Sequence, residues 1–140
     1  MREIAWAGMT SDLAGAVEFS GYCSPIWDHL AAADIVVQPS LREPFGNAVV
    51  EAQYSLRPVV ATRALGHTET ITDSETGLLV PAEDVPAMAA AIARLIDDPT
   101  LADRIARNAR AEAIRRFSLD RYSSEVVGLF DRLSRRGTNR

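Results

Sequence analysis

Three short apolar runs fix what this chain can fold into. Ile35-Val36-Val37, Val59-Val60-Ala61 and Leu78-Leu79-Val80 are each only a few residues long, aliphatic throughout and bounded by turn-forming or polar residues. Such runs read as strands buried on both faces, because a half-exposed strand would alternate apolar and polar side chains. Helical patterns separate them, and strands alternating with helices imply a doubly wound parallel α/β sheet. Sheets of this kind bind ligands outside the carboxyl ends of their strands.

The remaining elements follow from local chemistry. Met1–Ala16 reads as a weakly amphipathic segment, and Val17–Gly21 as a further short strand closed by glycine. Ser24-Pro25 is expected to open a helix, with serine at the N-cap and Ile26, Trp27, Leu30 and Ala33 forming its apolar stripe. Gln38–Phe45 is a loop, followed by a helix over Gly46–Ser55 that offers Ala48, Val49 and Ala52 for packing. The strand at Arg57–Thr62 tolerates its proline near the start. Arg63–Thr68 forms a second loop leading into a short helical turn, and Glu75-Thr76-Gly77 turns the chain into the last strand. Three helices follow, over about Val85–Ile96, Thr100–Arg116 and from a Ser118 cap toward Arg135. The expected organisation is a single sheet-containing core over about 17–97 and a helical tail over about 98–136.

The loops after the first two core strands carry the chemistry. Gly46 stands at a helix start, where unpaired N–H groups and the positive end of the helix dipole favour an anion such as a diphosphate. Glu51 lies five residues further on, about 7.5 Å along the helix axis. A carboxylate there can accept two hydrogen bonds from a vicinal diol such as a ribose. Glu43, nearer the strand end, could reach hydroxyls on the far side of the phosphates. From spacing alone, solvated surface acids and a simple turn glycine explain these residues equally well.

Glu43-Pro44-Phe45-Gly46-Asn47-Ala48-Val49-Val50-Glu51 resembles the E-x7-E element of retaining, nucleotide-sugar-dependent group 1 glycosyltransferases, which pair two Rossmann-like domains in the GT-B arrangement. Ala32–Ser40, Arg57–Thr62, Glu75–Val80 and the terminal helices are similar to the same family, over about Val17–Phe130. The resemblance implies a partial GT-B C-terminal domain with a UDP- or GDP-sugar as substrate and no obligatory metal; no Asp-x-Asp triplet occurs in the chain. It further implies that Glu51 binds the nucleotide ribose, that Glu43 and the amides of Phe45 and Gly46 hold the transferred hexose or pentose, and that the amides of Asn47 and Ala48 meet the diphosphate. Gly66-His67-Thr68-Glu69 corresponds to a donor-proximal Gly-Gly-x-Pro-Glu stretch, with Leu65 in place of the first glycine and Thr68 in place of the proline. Gly66 and His67 would lie near the donor through their backbone, and Arg63 is a candidate phosphate contact. A lone histidine such as His67 or His29 otherwise reads as packed or solvated.

Composition limits the partners. All 15 basic residues are arginine, so any phosphate clamp within the chain uses guanidinium or backbone groups. Residues 1–100 hold 14 acidic and 5 basic side chains, net −9, and residues 101–140 hold 5 acidic and 10 basic, net +5, which together give −4. Acidic residues interrupt the tail arginines, which favours solvated helix faces over contact with nucleic acid or an anionic membrane surface. One cysteine, Cys23, excludes an internal disulfide and fits a reducing, cytoplasmic setting.

In the resembled family the arginine and lysine that neutralise the leaving diphosphate precede the matched region, and an N-terminal domain binds the acceptor. The expectation for the isolated chain is therefore negligible transferase activity. Tyr122, Val126, Leu129, Phe130 and Leu133, spaced near the helical period, form an apolar stripe suited to homo-oligomerisation or to docking a separately encoded N-terminal half; packing onto the chain's own sheet is the plainer alternative. Two further readings stay open. One is a non-catalytic nucleotide- or protein-binding module derived from such a domain, and the other is half of a sugar-nucleotide epimerase.

Overall fold

The computed structural model describes residues 15–137. Three parallel strands, β1 (Val36–Gln38), β2 (Val59–Thr62) and β3 (Leu78–Val80), form a sheet in the order β1-β2-β3. Val37 stands opposite Val60, and Ala61 opposite Leu79. Every residue of β2 and β3 is buried, whereas β1 is half-buried and pairs on one side only among the described residues. The continuous apolar runs thus report a sheet covered on both faces.

On one face, Leu30 of α1 (Trp27–Ala32) and Val49 and Ala52 of α2 (Asn47–Tyr54) pack with Ile71 against Val59, Ala61 and Leu79. On the other, Leu95 of α4 (Val85–Asp97) and Leu101 and Ile105 of α5 (Pro99–Phe117) cover Val60, Leu78 and Val80. Alternation of side chains along each strand makes this two-sided core possible. α3 (Leu65–Thr70) connects β2 toward β3, and α6 (Leu119–Gly137) ends the described chain. Buried Ala109 and Ala113 of α5 mark the line along which α2 packs closely, fixed by a hydrogen bond from the Tyr54 hydroxyl to the Ala113 carbonyl at 3.2 Å.

Asp84 and Asp98 cap α4 and α5 by accepting from the amides of Ala87 and Leu101, each at 2.9 Å, and a proline sits in the first turn of both helices. The Ser118 hydroxyl accepts from the Arg121 amide at the start of α6.

Several expectations need correction. Val17–Gly21 is not a strand: Val17 and Phe19 are exposed, and the segment joins no ladder. An extended run becomes a strand only beside a neighbour that takes its backbone bonds, and β1 does not pair with it. Ser24 does not cap α1; the first helical bond runs from the Leu30 amide to the Ile26 carbonyl, so Ile26 is the N-cap and no side chain caps it. Ala48 is exposed rather than packed, because docking against α5 and the sheet turns Val49, Val50, Ala52 and Gln53 inward instead. The stripe on α6 does not pack onto the sheet: Tyr122, Leu129, Phe130 and Leu133 are all exposed. The expected segment at Met1–Ala16 lies, up to residue 14, outside the described residues.

Candidate functional site

The carboxyl ends of β1 and β2 lead into two loops that dock on one another. Gly46 adopts φ 98°, ψ 49°, a left-handed geometry open to glycine at little cost, and thereby starts α2. Its carbonyl accepts from the Val49 and Val50 amides. The amides of Asn47 and Ala48, one and two residues into the helix, have no acceptor among the described residues. They are the orphan donors that any helix start leaves, and both residues are exposed.

Glu43 folds back over this helix start. Its Oε1 accepts from the Gly46 amide at 3.0 Å and from the Phe45 amide at 3.4 Å. The carboxylate is therefore held by two backbone donors at the positive end of α2. Glu51 is half-buried and lies on the outward side of α2 with exposed Asn47 and Ala48, away from the face that Val49, Ala52 and Gln53 bury. No side chain or backbone group pairs with its carboxylate among the described residues.

The second loop positions the first. The Gly66 amide donates to the Glu43 carbonyl at 2.8 Å, and the Gly66 α-carbon lies directly against the Phe45 backbone. His67 is fully buried beneath Gly46. Its Nδ1 stands 2.9 Å from the Thr62 carbonyl, which can only accept, so Nδ1 carries the proton and Nε2 is left buried with no partner. His67 therefore reaches the site through packing and backbone, with its ring inside the core. The Thr62 hydroxyl donates to the Ser40 carbonyl and ties the first loop to the end of β2. Phe45 stacks edge-to-face on Phe117 with centroids 5.5 Å apart at 89°, and the Arg116 guanidinium lies 4.9 Å above the Phe117 ring. Arg63 turns to Asp73 in an ion pair, and Asp73 also accepts from the Leu79 amide at 3.0 Å.

The expected residues Glu43, Phe45, Gly46, Asn47, Ala48 and Glu51 thus share one helix start, with Gly66 and His67 packed behind them. Thr62, Phe117 and Arg116 hold this arrangement but were not singled out in the sequence. Thr62 offered one usable signal, a hydroxyl at the carboxyl end of a core strand. Phe117 offered none, since its partner is distant in the chain.

The family model for glycosyl transferases group 1 matches residues 2–98. The chain belongs to the group 1 glycosyltransferases. Among its relatives, the alpha-D-kanosaminyltransferase of Streptomyces kanamyceticus is 35% identical over 101 residues, covering 72% of this chain and 26% of the relative. Among solved structures, Anabaena HepE in complex with UDP and glucose is 31% identical with a TM-score of 0.82, over 86% of this chain and 33% of that one. The C-terminal domain of the Francisella tularensis group 1 protein LpcC is 32% identical with a TM-score of 0.66, over 74% of this chain and 53% of that domain. The chain spans about a quarter to a third of the length of the curated relatives it matches. The parallel sheet with its terminal helices is that of the family's GT-B neighbours. No helix among the described residues is long and apolar enough to cross a membrane.

Proposed function

We propose that this chain is the donor-binding part of a retaining glycosyltransferase that moves a hexose or pentose from a UDP- or GDP-sugar to an acceptor hydroxyl. The observation that carries the reading is the pair of unsatisfied amides on Asn47 and Ala48, flanked by the unpaired carboxylate of Glu51 on the same outward side of α2. Diphosphate oxygens are acceptors only and match the amides and the helix dipole. A ribose diol is a pair of donors and matches the carboxylate. The HepE structure, which holds UDP and glucose, lends support by family.

Glu43 and the amides of Phe45 and Gly46 hold the sugar. A hydroxyl can accept from an amide while donating to a carboxylate, so it enters between groups that now bind each other. Gly66 and His67 contribute by fixing this loop from behind, and Arg63, engaged with Asp73, is left out of the donor contacts. In the transfer itself the bond from the anomeric carbon to the diphosphate breaks, the bond to the acceptor oxygen forms with anomeric configuration kept, and the acceptor loses its proton. Negative charge builds on the leaving diphosphate, and catalysis requires donors that bind it more tightly at that moment. One helix start and two carboxylates do not suffice, so the isolated chain binds donor without appreciable turnover.

Calorimetry with UDP, GDP and ADP tests the reading. One uridine or guanosine diphosphate should bind, and Glu51→Ala should weaken it by roughly 1.5–3 kcal/mol. Absence of binding by all three would leave a non-catalytic module as the better account.

A further inference from the structure

We infer that His67 is a proton-coupled positioning residue: a donor diphosphate settling on the start of α2 draws a proton onto Nε2 of the buried ring behind it. The inference rests on the donor reading proposed above. The ring is fully buried, and its Nδ1 hydrogen is committed to the Thr62 carbonyl at 2.9 Å. Cδ2, the ring carbon bonded to Nε2, lies 3.3 Å from the place a β-carbon on Gly46 would take. The Nε2 edge therefore sits under the turn whose outer side offers the Asn47 and Ala48 amides.

Hydrogen counting points the same way. In the neutral ring Nε2 is an acceptor, and it has no donor. Gln53, on the buried face of α2, donates its amide nitrogen to the Thr70 carbonyl at 3.0 Å, which leaves its Oε1 as a second buried acceptor without a donor. Thr70 borders both residues. Its Oγ1 also stands 3.3 Å from the Gly46 β-carbon position, and its hydroxyl is already engaged by the Gly66 carbonyl at 3.1 Å. The seam between α2 and α3 is thus short of hydrogen. A proton at His67 Nε2 turns one of its two acceptors into a donor.

Charge decides when that proton arrives. Without ligand, a cation behind the helix start faces the positive end of the α2 dipole from inside the core, so the neutral ring is favoured. Diphosphate charges on the far side of Gly46 reverse the balance, because they attract a cation across a wall one residue thick that holds little water. The charged groups around the ring leave this part to the ligand. Before α2, the Glu43 carboxylate is tied to the Gly46 amide at 3.0 Å, and beyond β2, Arg63 is paired with Asp73. Glu51 lies on the outward side of α2, Glu69 of α3 is exposed, and Arg116 of α5 meets the Glu69 carbonyl. Among the described residues no carboxylate or guanidinium bonds to the ring. Histidine is the side chain that ordinarily titrates nearest neutral pH, and the chain's other one, His29, is exposed on α1.

Calorimetric titration of the full chain with UDP-glucose and GDP-glucose, in PIPES and in imidazole buffer, is the test. These sugar nucleotides carry no group of their own that titrates near neutral pH. The heats in the two buffers should differ by an amount that reports proton uptake, up to about one proton per donor bound. Affinity should rise as pH falls from about 8 to about 6, by at most about tenfold per pH unit. His67→Asn keeps a side-chain N–H for the Thr62 carbonyl but cannot titrate, so its binding should be independent of buffer and of pH. His29→Gln should retain the uptake. A donor that binds the wild type with no proton uptake overturns the inference and leaves the donor reading standing, even if His67→Asn fails to fold. Uptake that survives in His67→Asn does the same. Binding of neither sugar nucleotide overturns both.

Discussion

A β-carbon added to Gly66 would fall 2.4 Å from the Phe45 nitrogen and 2.6 Å from its α-carbon, so the two loops touch backbone to backbone. The loop carrying Glu43 and Gly46 is thus held in place by the absence of a side chain on another loop.

Gly66→Ala follows directly. The backbone of Phe45 cannot yield as a flexible side chain would, so the first loop must shift or the domain must absorb the strain. Overpacking of this kind costs about 1–3 kcal/mol. Urea denaturation should show that loss, and calorimetry should show nucleotide affinity falling as well, because the displaced segment contains the amides assigned to the donor.

Glu43→Gln separates charge from shape. The amide oxygen of glutamine can still accept from Gly46 and Phe45, so stability should change by less than about 1 kcal/mol. Affinity for UDP should stay nearly constant, while the extra affinity gained from an attached sugar should drop. Parallel titrations with UDP and UDP-glucose measure the difference, and an equal loss for both ligands would contradict the assigned role.

Gly46→Ala probes the start of α2. A side chain there meets left-handed backbone geometry at φ 98° and stands 3.3 Å from His67 Cδ2 and from Thr70 Oγ1. The strain amounts to about 1–2 kcal/mol. Denaturant midpoints should fall accordingly, and the helix start should lose ligand affinity beyond what the fold loses.

Acid should loosen the end of α5. The hydrogen bond from Arg115 holds the Glu112 carboxyl below the ordinary carboxylate range, with the charges of Arg115 and Arg116 adding to it against slight burial. A carboxylate whose value is lowered by folding contributes stability above its unfolded value and loses it as pH falls through the folded one. Arg116 bridges to the Glu69 carbonyl at 2.9 Å, so the pair links α5 to α3. Partial solvent exposure keeps the effect to a few tenths of a kcal/mol. Glu112→Gln should lower the urea midpoint slightly at about pH 7, and the difference should shrink as pH falls below the ordinary carboxylate range of about 4.3.

Much of this architecture was written in local patterns. β2 and β3 announced themselves as largely aliphatic runs, and Ser118 marked a helix start through a cap that acts within three residues. Glu43, Gly46 and Glu51 stood out through the E-x7-E resemblance, and their closeness to one helix start was legible from their spacing. What escaped was set by distance along the chain. The inward face of α2 was fixed by docking on α5, which exposed Ala48 and buried Gln53, whose amide nitrogen donates to the Thr70 carbonyl at 3.0 Å. Nothing near Gln53 distinguishes it from a solvated side chain. The Phe45–Phe117 stack and the Thr62 hydroxyl tie are likewise invisible to periodicity, since each joins separate elements. Val17–Gly21 misled because β propensity describes a residue's fitness for a ladder but supplies no neighbour.

Among the described residues β2 pairs on both sides and is fully buried, whereas β1 is half-buried. Central β2 is laced on both flanks and sealed above and below, so its amide protons should exchange with deuterium only through global opening. Those of half-buried β1 should exchange sooner, in keeping with its greater exposure. The loop carrying Glu43 is anchored to both strands, through Pro39 after β1 and the Thr62 hydroxyl of β2, so it spans a less protected support and a more protected one.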